Sequence, residues 1–224
     1  MEEKKQYKKQ LWNDYLKASN FPSEVKNIAR EIGELYFEDV KFLYDVRKCV
    51  VSGGGTLADK KTGVLYETEE EYHILKHNDK ELALRQADMS RLLANIIDIF
   101  EDVLPLGTVV DLKKDFLGQK MDLSKVDKIR VVISKRFLGG ETGCYYPYAA
   151  VLYPIGMAGQ NKYIYFSSAL IDDVVHMGYS DSIEEMFVYQ MKDQLIVKGN
   201  RKSMGFANEE EMRAIEKLLT GEEK

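Results

Sequence analysis

The chain has 224 residues, 45% of them apolar and 31% charged, a balance that gives a folded protein with its own core and excludes a disordered one. Lys and Arg total 32 against 37 Asp and Glu, a formal net charge of −5 with a pI near 5.4, which speaks against a sequence-independent nucleic-acid binder with its basic surface. Cys49 and Cys144 are too few for a disulfide framework or a Cys-based zinc site, no apolar run reaches the roughly 18 residues of a membrane helix, and MEEKKQYKKQLWND lacks a signal peptide's apolar core, so the expected class is a cytoplasmic α+β protein.

In chain order, Pro22 separates a short first helix from a longer second one. Val25, Ile28, Ile32, Leu35, Phe42 and Val46 recur at three- and four-residue spacing, broken only at Asp39, and predict a helix over 23–48 capped by Ser23. Val50-Val51 and Val64-Leu65-Tyr66 flank a Gly/Asp/Lys-rich stretch and read as a β-hairpin near 49–66. Thr68 with Glu71 three residues later has capping-box spacing and predicts a helix over 68–77. The apolar stripe from Leu82 through Met89, Leu92, Ile96 and Phe100 to Val103 predicts another over 80–102, ending ahead of Pro105. Beyond Leu104 the texture becomes strand-like: 106–112, 129–134, 145–153 and 163–166 are short, β-branched or aromatic, and joined by glycine-bearing linkers. Pro147 lacks a donor, so its strand is expected at an edge or a bulge. Helices are expected again at 168–177, at 182–196 and from Asn208, whose Glu209-Glu210-Glu211 complements a helix's positive end. The expected architecture is therefore α+β, with a helical region 1–103 followed by a small antiparallel β-sheet flanked by helices over 104–224.

A search for chemistry finds no convergent set. Ser52-Gly53-Gly54-Gly55-Thr56 lacks the Gly-Lys-Ser/Thr that a phosphate loop places ahead of a helix, and is read as a hairpin end. His73 and His77, four apart on the expected helix, have Ile74 where a zincin needs Glu, and are read as two exposed histidines. His176 is read as a helix-end imidazole and Cys144 as a half-buried strand cysteine. There is no Gly-x-Ser-x-Gly elbow. The expectation is no catalytic residue, no metal and no cofactor. The tyrosines at 145–165 have only Lys162 as a basic neighbour, so they suit protein recognition better than base stacking.

Leu104-Pro105-Leu106-Gly107-Thr108-Val109-Val110 is followed by Val131-Val132-Ile133-Ser134. Then come Tyr146-Pro147-Tyr148 through Tyr153-Pro154-Ile155-Gly156, and Tyr165-Phe166, Ile171, Val174-Val175 and Gly178-Tyr179 close the pattern. It resembles the bacterial domain-of-unknown-function family 4176, a small domain that opens with Leu-Pro-Leu-Gly-Ser-Val-Val. Thr108 stands in place of the usual Ser, the loop at 113–127 is longer than usual, and the helical region before 104 exceeds the family's compact form. Family members occur in Gram-positive bacteria beside type VII secretion genes and toxins with Leu-x-Gly secretion domains. The resemblance thus implies an accessory or chaperone role in toxin export and supplies no catalytic residue. The expected function is a non-enzymatic accessory factor that binds a secreted toxin or its helical export domain. One alternative is an immunity protein whose acidity complements a basic toxin. A second is a small-molecule or nucleotide-binding enzyme using Gly53–Gly55 or the histidines.

Partner contact is expected at Tyr145, Tyr146, Tyr148, Tyr153 and Tyr165. Alternation puts Tyr146 with Tyr148, or Tyr145 with Tyr153, towards a partner groove. The helical stripes at 25–46 and 82–103 are the fallback surface.

Overall fold

The computed structural model describes residues 2–113, 128–139, 143–157 and 163–213, so most of the expected loop at 113–127 lies outside the described residues. The chain is α+β and divides into two compact units. The first comprises residues 1–102 together with 192–199, and the second 103–191 with 200–224.

The first unit opens with α1 (Glu2–Ala18) and α2 (Ser23–Leu35), separated as Pro22 predicts. The continuous helix expected over 23–48 is instead two, because α3 (Lys41–Val51) starts afresh. Asp39 makes the break: its Oδ1 accepts from Lys41 N at 3.0 Å, and a short polar side chain that bonds the backbone this way competes with helix continuation. Ser23 does not cap α2. Pro22 holds that position, and no side-chain cap bond forms.

The hairpin exists, but its first strand is β1 (Leu57–Ala58), paired to β2 (Leu65–Glu69), while Val50-Val51 finish α3. The helix expected at 68–77 is overturned. β3 (Tyr72–His77) returns antiparallel along β2, and β4 (Lys80–Arg85) along β3, giving a four-strand meander in the order β1-β2-β3-β4. Its tight turns put Glu70 and Asn78 at φ +52° and +53°. Cross-strand pairing of Tyr66 with Leu75 and Leu75 with Leu82 outweighs the local capping-box spacing at Thr68. The next helix therefore starts later than expected, as α4 (Gln86–Phe100). It is buried on every side from Leu92 to Phe100 and packs on α1, α3, β3 and β4. Trp12 of α1 lies edge-on to Phe100 with ring centroids 5.9 Å apart.

The second unit is built on β5 (Val109–Leu112), β6 (Ile129–Gly139), β7 (Cys144–Leu152), β8 (Ile164–Phe166), β9 (Ile171–His176) and β10 (Lys202–Ser203). The sheet order is β10-β7-β6-β5-β9, with β8 also on β7. The sheet is antiparallel as expected, apart from the short parallel ladder of β10 with β7. β9 replaces most of the helix expected at 168–177, leaving a single 3-10 turn at Ser168–Leu170. The β-branched Ile171 and Val174 pair with Leu112 and Val110 of β5 instead. Helix α5 (Ser182–Lys192) continues in π-type hydrogen bonding over Asp193–Lys198.

A further helix begins at 209. Asn208 Oδ1 accepts from Glu211 N at 2.9 Å, and Glu211 Oε2 accepts from Asn208 N at 2.8 Å, a reciprocal capping box. The core of this unit gathers Val110, Leu112, Val131, Ile133, Tyr148 and Phe166.

Candidate functional site

The Leu104–Thr108 segment is a turn pinned from several directions. Leu104 N donates to the Tyr148 hydroxyl at 3.0 Å and Gly107 N to Ile133 O at 2.9 Å. Thr108 is fully buried, and its Oγ1 donates to Pro105 O at 2.7 Å while accepting from Gly178 N at 3.0 Å. A serine would offer the same hydroxyl, which accounts physically for Thr108 standing where the resemblance expects Ser. Gly107 takes φ +79°, and a Cβ on Gly178 would lie 2.2 Å from Leu106 O. The motif is thus architectural: it locks the start of β5 to the chain leaving β9. The Tyr153–Pro154–Gly156 element plays a similar part after β7. Gly156 N bonds Leu152 O at 2.7 Å, and the Tyr153–Pro154 peptide is cis.

A second fixed point is Arg136 on β6, whose side chain is 3% exposed. Its guanidinium meets the Glu184 carboxylate of α5 through both outer nitrogens and lies over the Phe187 ring at 5.6 Å. Its Nη1 also reaches Leu104 O at 3.4 Å. A planar fork satisfied on both teeth is how a charge is kept inside a fold. On β5 the buried Asp111 accepts from Arg130 at 2.8 and 3.0 Å and from Lys128 at 3.1 Å, and those bonds hold its carboxyl below the usual range.

The tyrosines do not divide as alternation alone suggested. β7 is a central strand, with β6 on one side and β10 and β8 on the other. Pro147 falls between the stretches paired to β10 and to β8, and none of these registers includes it. Tyr148 is 1% exposed, stacked on Phe166 at 5.3 Å, and Tyr145 is also buried, stacked on Phe137 at 6.3 Å. Tyr146 and Tyr165 are half-buried and lie on each other at 5.2 Å. Of the five tyrosines expected at a partner, Tyr153 is the exposed one. On the fallback surface, the buried stripe residues of α2, α3 and α4 pack within the first unit.

His73 is buried on β3, against the expectation of an exposed imidazole. Its Nδ1 lies 2.7 Å from the Tyr66 hydroxyl, and desolvation pushes its pKa down. His77 ends the same strand, half-buried. His176 ends β9 and not a helix, and Cys144 is fully buried at the start of β7. Gly53–Gly55 follow the C-terminus of α3 and lead into strand β1, not into a helix as a phosphate loop would. Among the described residues no three His, Cys, Asp or Glu side chains group as a metal site, and no helix is long and apolar enough to cross a membrane.

The sequence reading missed the open edge of the second sheet. Among the described residues, β9 pairs with β5 on one side and ends the strand order on the other. From Asp172 to His176 every residue is exposed, on both faces of the strand. Continuing from it, Met177, Tyr179 (82% exposed), Ile183 (73%), Met186 and Phe187 also face solvent. From Tyr163 to Met191 the chain carries Asp172, Asp173, Asp181, Glu184 and Glu185 and not one Lys or Arg. The signal was present in the β-branched Ile171 and Val174-Val175, which the expected helix at 168–177 passed over.

Fold and site together define a mixed α+β domain with a locked turn, a buried Arg–Glu pair and an open, acidic, apolar edge. Residues 103–187 of this chain match the family model described as Domain of unknown function (DUF4176). The match covers less than half of the chain and ends within α5. No curated protein and no solved structure matches the chain.

Proposed function

We propose that this protein is a non-enzymatic accessory factor that binds another protein through its second unit, the partner being a type VII-secreted toxin or its export domain, held in the cytoplasm before export. The observation that carries the reading is the run of exposed apolar side chains from Val174 to Phe187, inside the stretch that matches the family model. Apolar surface of that kind, rimmed by carboxylates, marks interaction sites more often than solvent-facing scaffold. Its acidity also favours a second reading, an immunity protein that masks a basic toxin domain.

The test is co-expression with a toxin encoded beside the gene, with the toxin's export and toxic domains also supplied separately. Co-elution with the export domain supports the accessory role, and co-elution with the toxic domain supports immunity. A chain that stays alone in the presence of both removes the protein-binding reading. Tyr179→Asp with Ile183→Asp should weaken the complex at least tenfold, about 1.4 kcal/mol, and leave the melting temperature unchanged.

A further inference from the structure

The exposed edge has a chemistry narrow enough to name what it takes. Among the described residues β9 has an unpaired ladder side, and Val174, opposite Val110 of β5, and Val175, in a bulge, are both exposed. A helix laid on the sheet would leave the free backbone groups of this edge unpaired, whereas a strand added alongside pairs them. The register of β9 on β5 shifts between Asp111 and Leu112 and again between Val109 and Val110, leaving Asp172 and Val175 unmatched on the paired side. Such bulges and edge charges discourage indiscriminate pairing. The charges here are all of one sign: Asp172 and Asp173 on the strand, with Asp181 and Glu185 beyond it. Of the nearby cations, Lys128 and Arg130 bond Asp111 and Lys113 Nζ bonds Ala169 O at 2.8 Å, and Arg130 also offsets part of the charge of Asp173, so the acidity of the edge rests on Asp172, Asp181 and Glu185. A second copy of this chain would bring the same carboxylates against themselves.

We infer that β9 is a docking edge for an extended partner segment that alternates Lys or Arg with β-branched apolar residues, added as a further strand of the sheet. This rests on the protein-binding reading above and specifies its site and partner chemistry. The test uses the full chain and a fluorescent heptapeptide alternating Lys and Val, its Glu/Val counterpart, and a Lys/Val peptide with proline at alternate positions. Binding of the Lys/Val peptide, with slowed amide exchange at 171–177, is expected. The Glu/Val and proline peptides, and the variants Asp172→Lys and Val175→Pro, should each lose at least tenfold in affinity. Asp172→Lys changes one exposed side chain, so it keeps the test valid should Val175→Pro lower the melting temperature.

Equal binding of the Lys/Val and Glu/Val peptides, tolerance of the proline peptide, or protection confined to α5 would overturn the inference. A toxin that co-elutes equally with wild type and Asp172→Lys overturns it while leaving the protein-binding reading standing. A Lys/Val peptide that docks on β9 while no toxin co-elutes supports the strand edge and removes the toxin reading.

Discussion

Two contacts in the second unit are steep enough to be read by single substitutions. Gly178 has no room for a side chain: an added Cβ would press on the Leu106 carbonyl, a backbone atom that cannot swing aside. Gly178→Ala should therefore lower stability by about 1–3 kcal/mol, visible in thermal unfolding, whereas Gly143→Ala, where a Cβ meets open space, should stay near neutral. Glu184 neutralises a guanidinium that the fold has taken out of water. Glu184→Ala should destabilise by about 3–5 kcal/mol because Arg136 is left buried and uncompensated, and replacing Arg136 and Glu184 together by Met and Leu should recover much of that loss. Denaturant unfolding of the two variants measures both the single and the paired effect. Tyr148 belongs to the same scale. Tyr148→Phe keeps the packing against Phe166 but strands the Leu104 amide, a cost of about 1–3 kcal/mol.

At the scale of the element, α4 ends in an unusual way. Its terminal carbonyls are met by a lysine from far along the chain: Lys192 Nζ donates to Ile99 O at 3.0 Å and to Glu101 O at 2.6 Å. Burial pushes the ammonium's pKa down to about 8, helped by Lys8 of α1 and opposed by Glu101, Asp102 and Asp98. An unfolded lysine titrates near 10.4, so between about 8 and 10.4 the unfolded chain holds more protons than the folded one. Stability of the first unit should therefore rise as pH increases through that window, against the background of its other groups. Lys192→Met should flatten that rise, as followed by melting temperature against pH. The carboxylate on β5 works in the opposite direction. Asp111, its pKa lowered chiefly by Arg130, contributes stability above the ordinary carboxylate range that is lost as pH falls through its lowered value, and Asp111→Asn should remove that acid-side loss.

Over the whole molecule, the chain returns to its first unit after most of the second has been built. Residues 192–199 carry Lys192 and the fully buried Ile196 into the unit formed by residues 1–102. A chain stopped after Met191 keeps the whole stretch that matches the family model, yet it uncovers the surface of α1 and α4 that this segment occupies. Its first unit should lose about 2–5 kcal/mol, the scale of deleting one buried aliphatic side chain before the Lys192 bonds are added. The expected readout is a lowered melting transition together with faster amide exchange in α4.

Much of this arrangement was written locally. Pro22 and Pro105 bracket helical stretches because a missing N–H and a fixed φ act on their own neighbourhood. β5 through β8 were legible because short β-branched and aromatic runs between glycines suit a pleated, half-buried surface. The Asn208 helix start was legible because a cap is made within four residues. The failures share one cause: partners distant in sequence. Residues 68–77 had a helix's local spacing, but the neighbouring strands β2 and β4 took them into a sheet. Residues 171–176 followed β5, some sixty positions earlier, and with that pairing the open acidic edge came into being. Which tyrosine of β7 is core and which faces water was likewise undecided by alternation, because period two gives two faces and only the packed neighbours say which one is inside. The sequence by itself determined the composition of this edge, apolar and free of cations from 163 to 191. Only the tertiary structure decided that it is an edge, because a strand's free side is defined by what has paired with the other.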